Sequence, residues 1–113
     1  MIKQPIIKSE TKQSSIYVIT LNNPKKRNPL SIELINSLQN EFNNLKKNKK
    51  IKVVIIKSTG PSFCSGHDLK EVKLASSSSS KLLSLFKKCS EMMLTIRYLP
   101  QPVLACINGV AAA

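Results

Sequence analysis

The sequence predicts an α/β fold built on a largely parallel sheet, and three observations carry that reading. Val53 to Ile56 and Val103 to Ile107 are unbroken apolar runs rich in β-branched residues, too short for buried helices and typical of strands covered on both faces. Elsewhere apolar residues recur at spacings of three and four, the period of amphipathic helices laid against such a sheet. Each apolar run ends in a glycine-bearing loop, Thr59-Gly60-Pro61 and Asn108-Gly109. Both loops then fall beyond the carboxyl ends of parallel strands, where ligands of such sheets collect.

In chain order, Ile2 to Lys8 and Ser15 to Leu21 are β-rich and read as a hairpin joined by the polar segment Ser9 to Gln13. Asn22-Asn23-Pro24 breaks the second strand, and Lys25-Lys26-Arg27-Asn28-Pro29 forms a basic loop. Ser31 can cap a helix that has Glu33 in its first turn; Ile32, Ile35, Leu38, Phe42 and Leu45 then mark its apolar stripe to about Lys47. After the central strand, Phe63 to Gly66 form a loop, and a helical turn begins at His67-Asp68-Leu69. The five serines Ser76 to Ser80 read as a mobile insertion over about 75–81. Leu82, Leu85, Phe86, Cys89, Met92, Met93 and Ile96 define a second helix that stops before Pro100-Gln101-Pro102. Val103 to Ile107 is the last strand. Asn108-Gly109, Val110 and the alanines up to Ala113 read as a second strand-to-helix turn.

These 113 residues make at most one small domain, with no internal repeat. Eighteen Lys and Arg against six Asp and Glu give a net charge of +12, which favours anionic partners such as phosphorylated small molecules. The lysines are scattered and aromatics are few, so a basic nucleic-acid-binding module ranks last among the readings. Three cysteines, Cys64, Cys89 and Cys106, lie far apart among apolar residues, which suits reduced, mostly buried thiols in an intracellular compartment. No apolar run approaches the roughly 18 residues that span a bilayer, and no secretory signal is legible, so no membrane partner is expected. Lys3 and Lys8 leave a mitochondrial presequence open, although Ile2, Ile6 and Ile7 read as strand and Glu10 comes early.

The segment Cys64-Ser65-Gly66-His67-Asp68 invites several chemical readings. A cysteine nucleophile with His67 as base and Asp68 as orienter needs groups from separate elements, because neighbours this close in a tight loop rarely reach the required geometry. A metal site finds a single histidine and no second ligand at a recognised spacing. Gly-x-Ser-x-Gly is missed because position 63 is Phe. Backbone chemistry remains: a peptide N–H near His67, presented by a glycine bend at a helix start, can meet an oxygen that gains negative charge.

Three segments in order, Leu21 to Ser31, Ser62 to Glu71 and Pro100 to Ala111, resemble successive motifs of the enoyl-CoA hydratase/isomerase superfamily, the crotonases. The resemblance covers nearly the whole chain and implies the N-terminal portion of a crotonase-like (ββα) spiral fold. It also implies an acyl-CoA ligand whose thioester carbonyl is held by two backbone N–H groups, the first that of His67. The CoA moiety would be bound at Lys25, Arg27, Ser65 and Gly66, with no covalently bound cofactor and no metal. The second donor would fall at about the position after Ala113, and the acid/base glutamates further on; none of Glu10, Glu33, Glu41, Asp68, Glu71 and Glu91 stands at a matching position. By the same resemblance whole family members are homo-oligomers and the setting is mitochondrial, otherwise cytoplasmic. Against an acyl-CoA enzyme related to fatty acid metabolism stands a catalytically inactive relic or partner-binding fragment. A chain of this extent alone is expected to be poorly stable, since two strands and two helix faces lack partners.

Overall fold

A computed structural model describes residues 4–112. Strands β1 (Ile7–Lys12), β2 (Ile16–Leu21), β3 (Val53–Ser58) and β5 (Val103–Ala105) form one sheet in the order β1-β2-β3-β5. The first pair is antiparallel, and β2 with β3 and β3 with β5 are parallel. Helix α1 (Ile32–Leu45) crosses from β2 to β3, while α2 (Leu69–Ala75) and α3 (Ser79–Arg97) lie between β3 and β5. Short strands β4 (Ser62–Cys64) and β6 (Val110–Ala111) form a separate parallel pair.

The core lies between one face of the sheet and the helices. Ile19, Leu21 and Val54 meet Leu34, Ile35, Leu38, Phe42 and Leu45 of α1, with Cys89 and Met92 of α3 closing the cluster. Alternation along β2 and β3 sends Val18, Val53 and Ile55 to the other face. There, Val18 is buried, Val53 and Ile55 are half-buried and Leu104 is 55% exposed. Full coverage on both faces, expected from the apolar runs, therefore holds only on the helix side among the described residues.

The α1 expectation is met closely: the Ser31 hydroxyl accepts from Leu34 N–H at 3.1 Å, Glu33 sits in the first turn and the stripe is buried from Ile35 onward. Ile32 is left 39% exposed. In α3 only Leu85, Cys89 and Met92 are buried, so the broad apolar face narrows, with Phe86 and Met93 at its exposed margins. Cys106, expected among buried thiols, is exposed after the short strand β5.

Several segments differ from the sequence reading, among them Ser62–Cys64, which form strand β4 where a loop was expected. The first strand starts at Ile7, and Ser9 to Lys12, expected as a connection, are strand residues. The expected start at Ile2 and Lys3 lies outside the described residues, as does Ala113. Polar side chains suit β1 because it is an edge strand whose backbone is satisfied by β2, in the register Ile7 with Leu21 through Lys12 with Ile16. The turn uses left-handed backbone at Gln13 and Ser14, φ 51° and 67°.

The serine run is the α2–α3 junction, not an insertion outside regular structure. Ser76 and Ser77 hydroxyls donate to the Lys73 and Leu74 carbonyls at 2.6 and 3.3 Å, Ser78 N-caps α3 and Ser79 and Ser80 open that helix. Serine hydroxyls satisfy helix-end groups that apolar residues would leave bare. Val110 and Ala111 are strand, not helix: β6 pairs with β4, and Ala112 N–H donates to Cys64 O at 2.9 Å. Gly109 permits this approach with φ 66°, since a Cβ there would lie 1.9 Å from the Pro61 carbonyl oxygen.

On the helix side of the β1–β2 hairpin, the Tyr17 hydroxyl donates to Glu41 Oε2 at 2.6 Å, and Ser9 donates to the other carboxylate oxygen. Burial, then the bond to Glu41, raises the Tyr17 phenol above its ordinary 10.0. The folded state holds that proton more tightly than the unfolded chain, so the associated stability is complete below pH 10.0 and is lost as pH rises through the folded value. Urea midpoints measured across this range should fall for the native protein and fall less for Tyr17→Phe, which should be the less stable of the two at neutral pH. Parallel pH profiles would remove Tyr17 from the alkaline loss.

Candidate functional site

Beyond β2 the chain makes one 3-10 turn, Pro24–Lys26, and reverses through Arg27 and Asn28, both left-handed at φ 65° and 53°. Asparagine tolerates that conformation better than most residues. Asn28 is wholly buried. Its Oδ1 accepts from Asn23 N–H at 2.7 Å, and its Nδ2 donates to the Thr59 and Ser62 carbonyls at 2.9 and 3.1 Å. One side chain thus joins the basic loop to the turn between β3 and β4.

That junction fixes the path of residues 64–68. Ser65 N–H donates to Arg27 O at 3.0 Å, Leu30 N–H to Gly66 O at 2.7 Å and Asp68 N–H to Leu30 O at 3.4 Å. The last two bonds form a parallel bridge between Leu30 and His67. In a bridge of this kind the neighbours of residue 67 do the bonding, and among the described residues the His67 N–H has no acceptor. Gly66, at φ 89°, makes the bend, and its N–H donates to Cys64 Sγ at 3.5 Å. Asp68 starts α2 as the sequence suggests, its Oδ1 accepting from Lys70 and Glu71 N–H. Glu71 reaches back to accept from Ile32 N–H at 2.8 Å, tying α2 to the start of α1.

His67 stands between two clefts. One, of about 360 Å³, is flanked by Lys26, Ser65 and Lys70, with Pro29 among its walls. The other, of about 510 Å³, runs along α3 past Phe86, Cys89, Met93 and Leu94 to Arg97. A cation-flanked cleft and a mainly apolar one that share His67 as a wall can hold a ligand with an anionic end, a polar centre and an apolar end.

The structure brings Ser65 and His67 to this junction and buries Gly66 beneath it, its carbonyl bonded to Leu30. Lys25 is exposed and lines a neighbouring cleft with Lys8 and Asn22, while the Arg27 side chain lines neither of the clefts beside His67. Lys26 and Lys70, which sequence reasoning passed over, are the ammonium groups on the cleft.

The cysteine relay is not assembled. Cys64 is buried with Gly66 N–H on its sulfur, Asp68 is occupied at the α2 cap, and His67 Nδ1 is buried without a partner. Burial, then the nearby Cys64, pushes the Cys89 thiol up, away from a reactive thiolate. Among the described residues no cluster of three His, Cys, Asp or Glu could hold a metal ion, and no helix is long and apolar enough to cross a membrane.

Residues 11–113 match the family described as enoyl-CoA hydratase/isomerase. A Danio rerio protein named enoyl-CoA hydratase domain-containing protein 3, mitochondrial, is 45% identical over 101 residues, covering 89% of this chain and 35% of that protein. The crystal structure of the human protein of that name superposes with a TM-score of 0.84 at 38% identity, over 93% of this chain and 41% of the other. An enoyl-CoA hydratase from Mycobacterium smegmatis gives 0.88 at 33% identity, over 92% and 40%. This chain therefore spans a little over a third of the length of such relatives.

Asn28→Ala leaves the Asn23 N–H and the Thr59 carbonyl without a side-chain partner and leaves the Ser62 carbonyl only the Ser58 hydroxyl at 3.3 Å, and should lower the free energy of unfolding by about 2–4 kcal/mol. Asn28→Asp keeps the acceptor for Asn23 but loses both donors, and should also destabilise. Urea unfolding measures both, and an Asn28→Ala loss under about 0.5 kcal/mol, the size of an ordinary surface change, would show that the junction does not depend on this side chain.

Proposed function

From the premise that this chain belongs to the enoyl-CoA hydratase/isomerase family, we propose that it binds an acyl-CoA with the thioester oxygen on the backbone N–H of His67. The CoA phosphates lie toward Lys26 and Lys70, and the acyl group toward α3. The observation that carries this reading is that His67, whose N–H has no acceptor among the described residues, lines both clefts.

An N–H held by its neighbours' hydrogen bonds needs no reorganisation when charge develops on the oxygen it faces, which is what makes such donors effective. The second donor is the one the resemblance puts at about the position after Ala113, a few residues beyond the β4–β6 pair in which Cys64 lies opposite Ala111. Lysine ammonium groups suit phosphate as mobile point charges, in keeping with their exposed place on the rim.

Hydration or isomerisation of a fatty acyl thioester, in a mitochondrial setting, is the activity proposed for the whole domain. The carboxylates nearest His67, Asp68 and Glu71, are committed to helix-end N–H groups. That commitment favours a second reading for these residues taken alone, thioester binding without acid/base work. Metal chemistry has no part in either reading.

Calorimetric titration with CoA and with acetyl-CoA tests the proposal. Lys26→Ala/Lys70→Ala should weaken both about three- to tenfold, with a shallower salt dependence, in line with exposed charge pairs. Lys25→Ala/Arg27→Ala should weaken them less. Equal affinities for the native protein and the Lys26/Lys70 variant would dismiss the phosphate assignment, and absence of binding to either compound would dismiss the reading.

A further inference from the structure

We propose that the acyl group carries a carboxylate at its far end and that Arg97 receives it, so that the site takes dicarboxylic acyl thioesters in preference to simple fatty ones. This rests on the reading of the chain as an acyl-CoA binder with the acyl group along α3. The cleft on that side, of about 510 Å³, has the exposed apolar residues Phe86, Met93 and Leu94 among its walls and reaches Arg97 in the last turn of the helix.

Arg97 is without a carboxylate. Among the described residues its side chain enters no ion pair or hydrogen bond, and its guanidinium lies over the ring of Tyr98, with Cζ 5.7 Å from the centroid. Stacking of this kind occupies a face of the planar group and leaves its N–H edge, a fork that fits a carboxylate, open. Glu91, the one acidic residue of α3, stands six residues earlier, off the side of the helix that carries Arg97.

Charge and length narrow the ligand further. A plain alkyl chain would bury surface against Phe86, Met93 and Leu94 but would bring its methyl end to a cation that gains nothing from it. A terminal carboxylate supplies the missing acceptor, while the methylenes keep the apolar contacts. Phe86 packs on His67 with ring centroids 5.0 Å apart, so it marks the thioester end of the cleft. From Phe86 to Arg97 the helix advances eleven residues, a rise of about 16 Å. An extended chain gains about 1.2 Å per bond, so subtracting the arginine's own reach of about five bonds and a contact of about 3 Å leaves roughly six bonds for the acyl chain. A diacid of about six carbons meets that length.

The test is calorimetric titration of the full chain with two ligand pairs that differ only at the chain end, hexanoyl-CoA with adipoyl-CoA and the shorter butyryl-CoA with succinyl-CoA. Native protein should bind adipoyl-CoA about two- to fivefold more tightly than hexanoyl-CoA, the range of an exposed ion pair, and the shorter pair should differ less. Arg97→Gln should bring adipoyl-CoA down to the level of hexanoyl-CoA and leave hexanoyl-CoA unchanged, which also shows that the variant is folded. Arg97→Lys, which keeps the charge without the fork, should retain part of the preference and serves if the glutamine variant fails to fold. Lys87→Gln removes a charge of the same helix outside this cleft and should leave the preference intact. Equal affinities within the longer pair, a shorter pair that differs as much, a preference that survives Arg97→Gln, or one lost equally in Lys87→Gln would overturn the proposal. Failure of all four thioesters to bind would instead remove the acyl-CoA reading, and this proposal with it.

Discussion

The buried carboxamide of Asn28 is the constraint on which the geometry around His67 depends. A side chain with no exposed surface, in a left-handed conformation, joins Asn23, Thr59 and Ser62 across two loops that are far apart in sequence. Both its N–H donors and one acceptor site are used. An apolar residue would strand the Asn23 N–H and the Thr59 carbonyl and leave Ser62 only the Ser58 hydroxyl, and a charged one would bring an unpaired charge into the same space. Because the basic loop is fixed against the β3–β4 turn, its carbonyl at Arg27 is available to Ser65, and Leu30 is available to the residues on either side of His67. Those bonds turn the His67 N–H away from Leu30, and among the described residues it has no acceptor.

Charge and shape divide around that amide in a way the total of +12 does not describe. Most cationic side chains lie on exposed surface, where each contributes little beyond solubility. Lys26 and Lys70 differ because they approach one cleft from separate elements, a 3-10 turn and the first turn of α2.

Much of the fold was legible in the sequence because it rests on local signals. The Ser31 cap and the α1 stripe follow from helix-end chemistry and a period of 3.6, and the parallel strands follow from runs that leave no face polar. What was not legible depends on partners distant in sequence. Ser62–Cys64 and Val110–Ala111 have too little strand character to be read alone, and become strands because each offers the other unpaired backbone groups. Ser9 to Lys12 look like a connection because an edge strand need not be apolar. Which lysine faces the cleft turns on how far the Pro24–Lys26 turn winds before Arg27 reverses it, a phase that composition does not encode. Asn28, in a loop of Lys, Arg and Pro, reads as an ordinary turn residue until the two carbonyls it serves are brought beside it.

Left-handed backbone is concentrated where these loops meet: Arg27 and Asn28 on one side, Gly60 and Gly66 on the other, and Gly109 where β6 enters. That distribution fits the main-chain donor proposed above. A side-chain donor can be carried on a regular helix or strand, whose backbone groups are already paired, and aimed by a rotamer. A main-chain donor must be taken out of its ladder, and the chain has to bend on both sides of it without leaving other buried groups unpaired. Glycine at 66 and 109 and asparagine at 28 supply those bends at low steric cost, and their hydrogen bonds close the accounts of the neighbouring peptides. The part of the site least open to substitution is thus its set of turns. His67, held between those turns, packs its own ring edge to face with Phe86.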